Sequence, residues 1–163
     1  MRLRAIVVSV ATAGLMVGPA FAHGVLSSVA GAAKDCTIQG TAADDDLTGT
    51  TRDDVICTRA GQDYASGLEG SDVIRLGQGD DSANGDEGSD VVKGQADDDN
   101  AVAGDDQNDK VYGGQGDDYV EGDNGNDWVK TRDNVSGNDT ADGGNNTDTC
   151  IIDSADTVVS CEL

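Results

Sequence analysis

The stretch GGQGDDYVEGDNGNDWVK, residues 113–130, is two consecutive nine-residue units of one pattern: glycine at the first and fourth places, Asp at the sixth and Val at the eighth. Stepping back by nine from Gly113, units begin at Gly104, then after one extra residue at Gly94, and then at Gly85, Leu76, Gly67, Thr58, Gly49 and Gly40. Stepping forward, Thr131, Arg132 and Asp133 interrupt the register before two weaker units from Asn134 and Gly143, which makes twelve in all. A repeat this short cannot bury an apolar face alone, so neighbouring units must stack into a continuous coil.

The sixth place reads Asp45, Asp54, Asp63, Asp72, Asp81, Asp90, Asp99, Asp109, Asp118, Asp127, Asp139 and Asp148 without a substitution. A merely acidic, solvated chain would scatter its carboxylates. The eighth place reads Leu47, Ile56, Ala65, Ile74, Ala83, Val92, Ala101, Val111, Val120, Val129, Ala141 and Cys150, all small or apolar. Taken alternately, one series (Ile56, Ile74, Val92, Val111, Val129, Cys150) is larger than the other (Leu47, Ala65, Ala83, Ala101, Val120, Ala141). The structural period is therefore eighteen. Each nonamer supplies one turn and one short strand, successive strands fall in opposite sheets, and large residues facing small ones fill a thin interior. The expected fold is all-β, a parallel β-roll with two units per coil, over residues 40–151.

Regularly placed carboxylates beside Gly-rich turns, whose main-chain carbonyls are free, are what a hard cation seeking six to eight oxygen ligands requires. The unit resembles the RTX, or haemolysin-type, calcium-binding nonapeptide G-G-x-G-x-D-x-U-x, where U is a large apolar residue. The resemblance implies a parallel β-roll with several Ca2+ ions between adjacent turns on each edge, held by the twelve sixth-place Asp and by turn carbonyls. Asp63, Asp72, Asp81, Asp90, Asp109, Asp118 and Asp127 follow the best-formed turns. Asp118, in GGQGDD, is the closest match, and in a two-unit coil it partners Asp99 or Asp139, not Asp127. The fourth place departs from glycine at Ala43, Arg52, Asp97, Gln107 and Asn146, where the turn's backbone is costlier. If each site lies between a unit and the next but one, twelve units offer about ten positions at most.

The N-terminus carries Arg2 and Arg4, an apolar run from Ala5 to Val17 and the small-x-small ending Ala20-Phe21-Ala22. These features predict a secretory signal, residues 1–22, cleaved after Ala22, and a secreted, extracellular protein without membrane insertion. A short segment, residues 23–39, precedes the repeat and a cap, residues 152–163, follows it. The formal charge of −22 excludes nucleic acid as a natural partner. With few aromatics and strong self-repulsion, the metal-free chain falls near the disordered class, so folding is expected to depend on calcium.

The four cysteines, Cys36, Cys57, Cys150 and Cys161, form an even set suited to two disulfides in an exported chain. Three connectivities are possible. Proximity in sequence favours Cys36 with Cys57 and Cys150 with Cys161, a staple near each end. A zinc site is disfavoured because close Cys pairs and neighbouring histidines are lacking.

The leading functional reading is a non-catalytic binding or scaffold protein. Larger RTX toxins and proteases carry separate lytic or catalytic domains, and residues 23–39 are too few to make one. The alternatives are adhesion or ice binding through a repetitive sheet face, and a copper redox enzyme using His23 at the mature N-terminus, which lacks a second histidine. The seventh place is irregular for ice binding, although Val55, Val73 and Val91 form one outward stripe. A carbohydrate platform shared by Tyr119 and Trp128 is disfavoured, since successive units put them on opposite sheets.

Overall fold

A computed structural model describes residues 35–135 and 137–162; the expected signal, residues 23–34 and His23 lie outside them. The chain winds into a coil of two parallel sheets, each of seven strands. The first sheet holds β1 (Ile38–Gln39), β3 (Val55–Ala60), β5 (Val73–Gln78), β7 (Val91–Ala96), β9 (Lys110–Gln115), β11 (Trp128–Lys130) and β13 (Thr149–Ile151) in that spatial order. The second holds β2 (Asp46–Thr48), β4 (Tyr64–Ser66), β6 (Ser82–Asn84), β8 (Asn100–Ala103), β10 (Tyr119–Glu121), β12 (Thr140–Asp142) and β14 (Thr157–Val159). Each of the twelve nonamers supplies one of β2 to β13, and the flanking segments add β1 and β14. Among the described residues no helix is long and apolar enough to cross a membrane.

Pairing follows the eighteen-residue period: Ile56 lies beside Ile74, and Ala65 beside Ala83. The extra residue and the three-residue interruption are absorbed without loss of stacking, with Val92 beside Val111 and Val120 beside Ala141. Ile56, Ile74, Val92, Val111, Val129 and Cys150 from the first sheet, and Leu47, Ala65, Ala83, Val102, Val120 and Ala141 from the second, form one buried core. Large-against-small packing across the coil follows from this alternation, and burial of these side chains is the main apolar drive for stacking.

Two details depart from the sequence reading. In β8 the residue paired with Ala83 and Val120 is Val102, one place beyond the counted eighth place. The extra residue sits between Asn100 and Val102 as an irregularity in the strand, and Val102 is buried in the core. The first place of a unit also faces inward wherever a strand of the first sheet runs on past its ninth place: Thr58 and Leu76 are fully buried there.

Both disulfides join the cysteines nearest in sequence. Cys36–Cys57 ties the segment before β1 to β3, and Cys150–Cys161 ties β13 to the segment after β14, with Cα separations of 5.9 and 5.8 Å. The exposed end coils of a solenoid lack a neighbour on one side, and these bonds fall there.

Candidate metal-binding edges

The six-residue turns stack into two rows, one along each edge of the coil. Turns leading into the first sheet carry Asp54, Asp72, Asp90, Asp109, Asp127 and Asp148. Those leading into the second carry Asp45, Asp63, Asp81, Asp99, Asp118 and Asp139. All twelve carboxylates are buried, which is unusual for Asp and is tolerated only where partners satisfy the charge.

In the ten sixth-place carboxylates from Asp63 to Asp148, half of the group is satisfied in one repeated way. Oδ1 accepts the amide of the sixth-place Asp one coil earlier: Asp72 N donates to Asp90 Oδ1 at 2.7 Å, Asp90 N to Asp109 Oδ1 at 2.7 Å, and Asp109 N to Asp127 Oδ1 at 2.8 Å. On the other edge Asp63 N donates to Asp81 Oδ1 at 2.7 Å, Asp99 N to Asp118 Oδ1 at 3.0 Å, and Asp118 N to Asp139 Oδ1 at 2.9 Å. Asp118 thus sits in one ladder with Asp99 and Asp139, as the eighteen-residue coil requires.

The other half is not satisfied by protein. Oδ2 of Asp63, Asp72, Asp81, Asp90, Asp99, Asp109, Asp118, Asp127, Asp139 and Asp148 is buried without a hydrogen-bond partner. Burial, with neighbouring carboxylates adding to it, pushes Asp99 and Asp109 up to about 8, Asp90 to about 7, and Asp81, Asp118, Asp127 and Asp139 to about 6, against the opposing pull of the donated amide. Asp63, Asp72 and Asp148 shift in the same direction for the same first cause. A row of carboxylates that cannot ionise cheaply, each with one buried oxygen lacking a protein partner, has the chemistry that a cation would complete.

The first-place glycine keeps the space for it. A Cβ on Gly85 would stand 2.6 Å from Asp90 Oδ2 and 2.6 Å from the carbonyl oxygen of Gly104, one coil on; on Gly122 it would stand 2.7 Å from Asp127 Oδ2 and 2.6 Å from Gly143 O. A carboxylate oxygen and a main-chain carbonyl of the next coil therefore converge beside each such glycine. Among the described residues no three His, Cys, Asp or Glu gather into one cage. With one carboxylate per turn, the remaining ligands must be main-chain carbonyls, which is oxygen-rich coordination of the kind Ca2+ accepts. These residues fit that ion.

At the fourth place most turns take a positive φ, as at Gly70 (φ 131°), where a Cβ would meet Arg52 C at 2.6 Å. Asp97, Gln107 and Asn146 adopt left-handed values there (φ 74°, 84° and 88°), so these departures keep the turn, whereas Ala43 and Arg52 do not take a positive φ.

Asp45 and Asp54 stand apart from the other ten. Asp45 Oδ2 accepts from the Thr41 amide at 2.6 Å and hydroxyl at 2.9 Å, and Asp54 Oδ2 accepts from the Thr50 amide at 2.8 Å and hydroxyl at 2.7 Å. At the far end Glu162 takes the place of the next Asp: its Oε2 accepts the Asp148 amide at 2.6 Å. Neither the threonines nor Glu162 stood out in the sequence. The available signal was Thr at the second place of the two first units, and an acid one strand beyond the last repeat.

The fold and its two carboxylate rows define a calcium-type parallel β-roll. The family model of the RTX calcium-binding nonapeptide repeat matches in four overlapping copies, residues 39–74, 58–92, 66–101 and 96–129, more than half of the chain. The chain belongs to this RTX calcium-binding repeat family. No curated protein matches it.

Proposed function

We propose that this chain is a secreted, non-catalytic RTX protein in which several Ca2+ ions bind along both edges of the roll and drive its folding. The observation that carries this reading is the double row of ten buried, unpartnered Oδ2 atoms. Asp63, Asp72, Asp81, Asp90, Asp99, Asp109, Asp118, Asp127, Asp139 and Asp148 would hold the ions together with turn carbonyls. Bound calcium would remove the charge repulsion that opposes stacking. Asp45 and Asp54, already supplied by Thr41 and Thr50, would serve as structural ends of the ladders.

Export is supported by the signal-like N-terminus and by two disulfides, which persist in oxidising compartments. The scaffold reading is supported by the repeat itself: its buried polar groups are spent on holding neighbouring coils together. Equilibrium dialysis against calcium tests the reading. Several ions bound per chain, lost together on substituting paired interior Asp by Asn, is the expected result; binding of a single ion or none would contradict it.

A further inference from the structure

The two outer faces of the roll differ in charge. The strands of the first sheet contain Arg59, Arg75, Lys93, Lys110 and Lys130 and not one Asp or Glu. The strands of the second contain Asp46, Glu121 and Asp142 and not one Lys or Arg. In a chain with a formal charge of −22, collecting cations on one face requires a reason beyond composition.

Along the first sheet, parallel pairing aligns outward side chains into two rows. One row runs Val91, Lys110, Trp128; the other runs Lys93, Tyr112, Lys130. Cations and rings therefore alternate in both directions. The Lys93 ammonium lies over the Tyr112 ring, 5.5 Å from its centre, and Trp128 is 42% exposed. Tyr112, Trp128, Lys130, Arg132, Asn134 and Ile151 line a shallow groove of about 460 Å3 across β9, β11 and β13. Lys110 and Lys130 are in no ion pair with any described residue, while Arg132 is held by Asp153 at 3.5 Å.

We propose that this face, from β7 to β13, binds an acidic glycan: a polymer of sugars bearing carboxylate or sulfate groups. Aromatic rings offer sugar faces an apolar, low-entropy surface, and the lysines between them meet charged substituents. Lys93 and Lys130 stand two strands apart, roughly 10 Å, with the Tyr112 ring between them, so anionic groups spaced along a chain can meet both. A second copy of this protein would bring its own −22 net charge against the acidic edges that flank the face. Duplex nucleic acid carries a phosphate on every nucleotide of both strands, a denser charge than a glycan with one or two anionic groups per disaccharide, and so meets far more repulsion from the acidic remainder of the molecule. The proposal rests on the calcium-folded roll described above and identifies its partner.

The test is affinity electrophoresis and calorimetry of the calcium-loaded full-length secreted chain, its β-sheet circular dichroism verified first so that a failure of calcium-driven folding is seen separately. The probes are hyaluronate for carboxylate, chondroitin sulfate for sulfate, uncharged dextran and duplex DNA. Expected are binding to hyaluronate or chondroitin sulfate but not to dextran or DNA, a loss of about tenfold or more in affinity in the K93Q/K110Q/K130Q variant, and a loss of about tenfold for W128A. Tyr119→Ala, on the opposite sheet, leaves affinity unchanged. Absence of glycan binding by the folded wild-type chain, equal binding to DNA, or full affinity in both the lysine and Trp128 variants would overturn the proposal; the wild-type result decides without any variant.

Discussion

At the start of the coil, Oδ2 of Asp54 is held by the amide and hydroxyl of Thr50, and a disulfide anchors the strand that follows. Two coils further along the same edge, Asp90 is also buried and its Oδ1 accepts the Asp72 amide where Asp54 Oδ1 accepts the Thr37 hydroxyl, yet nothing lies on its Oδ2. The sequence motif is shared; the chemistry that completes it is not. At the N-terminal end Thr41 and Thr50 close the carboxylates, at the C-terminal end Glu162 accepts the last amide of its ladder, and a disulfide ties each end, while the turns from Asp63 to Asp148 each leave one oxygen without a protein partner. A stacked coil can extend by repetition only if each added turn brings its own neutralising partner, and its ends must be finished differently because no further turn exists to supply one.

The largest expected effect separates the interior from the ends by pH. The interior carboxylates have folded-state values raised to about 6 to 8, against about 4 in an unfolded chain, so the metal-free fold holds protons that the unfolded chain releases. Their contribution is therefore present below about pH 4 and lost as pH rises through 6 to 8. Circular dichroism in a chelator should show more β structure at pH 5 than at pH 8. Saturating calcium should reverse that order, because the ion requires the ionised form.

Next in size, Asp109→Ala removes the acceptor of the Asp90 amide and a proposed calcium ligand, leaving a buried donor unsatisfied at a cost of about 3 kcal/mol. Denaturation in saturating calcium should register this, and the calcium midpoint for folding should rise. Cys150→Ser with Cys161→Ser, at the C-terminal end, should cost a similar or slightly smaller amount, about 2–3 kcal/mol, with the calcium midpoint of the interior little altered. Equal midpoint shifts from the two variants would erase the distinction drawn between end and interior. Smallest is Thr50→Ala, which removes one hydroxyl donor to Asp54 at about 1 kcal/mol and should leave the number of ions bound unchanged. If it instead raises the number bound, Asp54 belongs with the interior set.

Most of the fold was legible because one strict period carries it. The alternation of Ile74 and Val92 with Ala65 and Ala83 placed successive strands in opposite sheets, and the uninterrupted sixth-place Asp located both edges. Counting puts the extra residue of the β8 unit after the strand, whereas the pairing puts it within the strand, which brings Val102 into register with Val120 and into the core. A unit of one turn and three strand places leaves Leu76 and Thr58 outside the core; they are buried because β3 and β5 continue the in-out alternation into the next unit. The closing groups at the ends lie outside the motif: Thr50 acts from the second place of its own turn, which the motif does not specify, and Glu162 lies where a further turn's Asp would otherwise be. Nor was the charge difference between the faces apparent while the outward seventh place was read without the ninth, where Lys93, Tyr112 and Lys130 lie.

Residue-resolved hydrogen exchange with and without calcium at neutral pH tests the central claim most directly. Calcium should slow exchange of the sixth-place amides from Asp63 to Asp127, whose donation to the next carboxylate depends on the interior stack, by far more than it slows those of the disulfide-anchored end turns. Equal protection of Asp81, Asp90 and Asp99 amides in calcium and in chelator would contradict it.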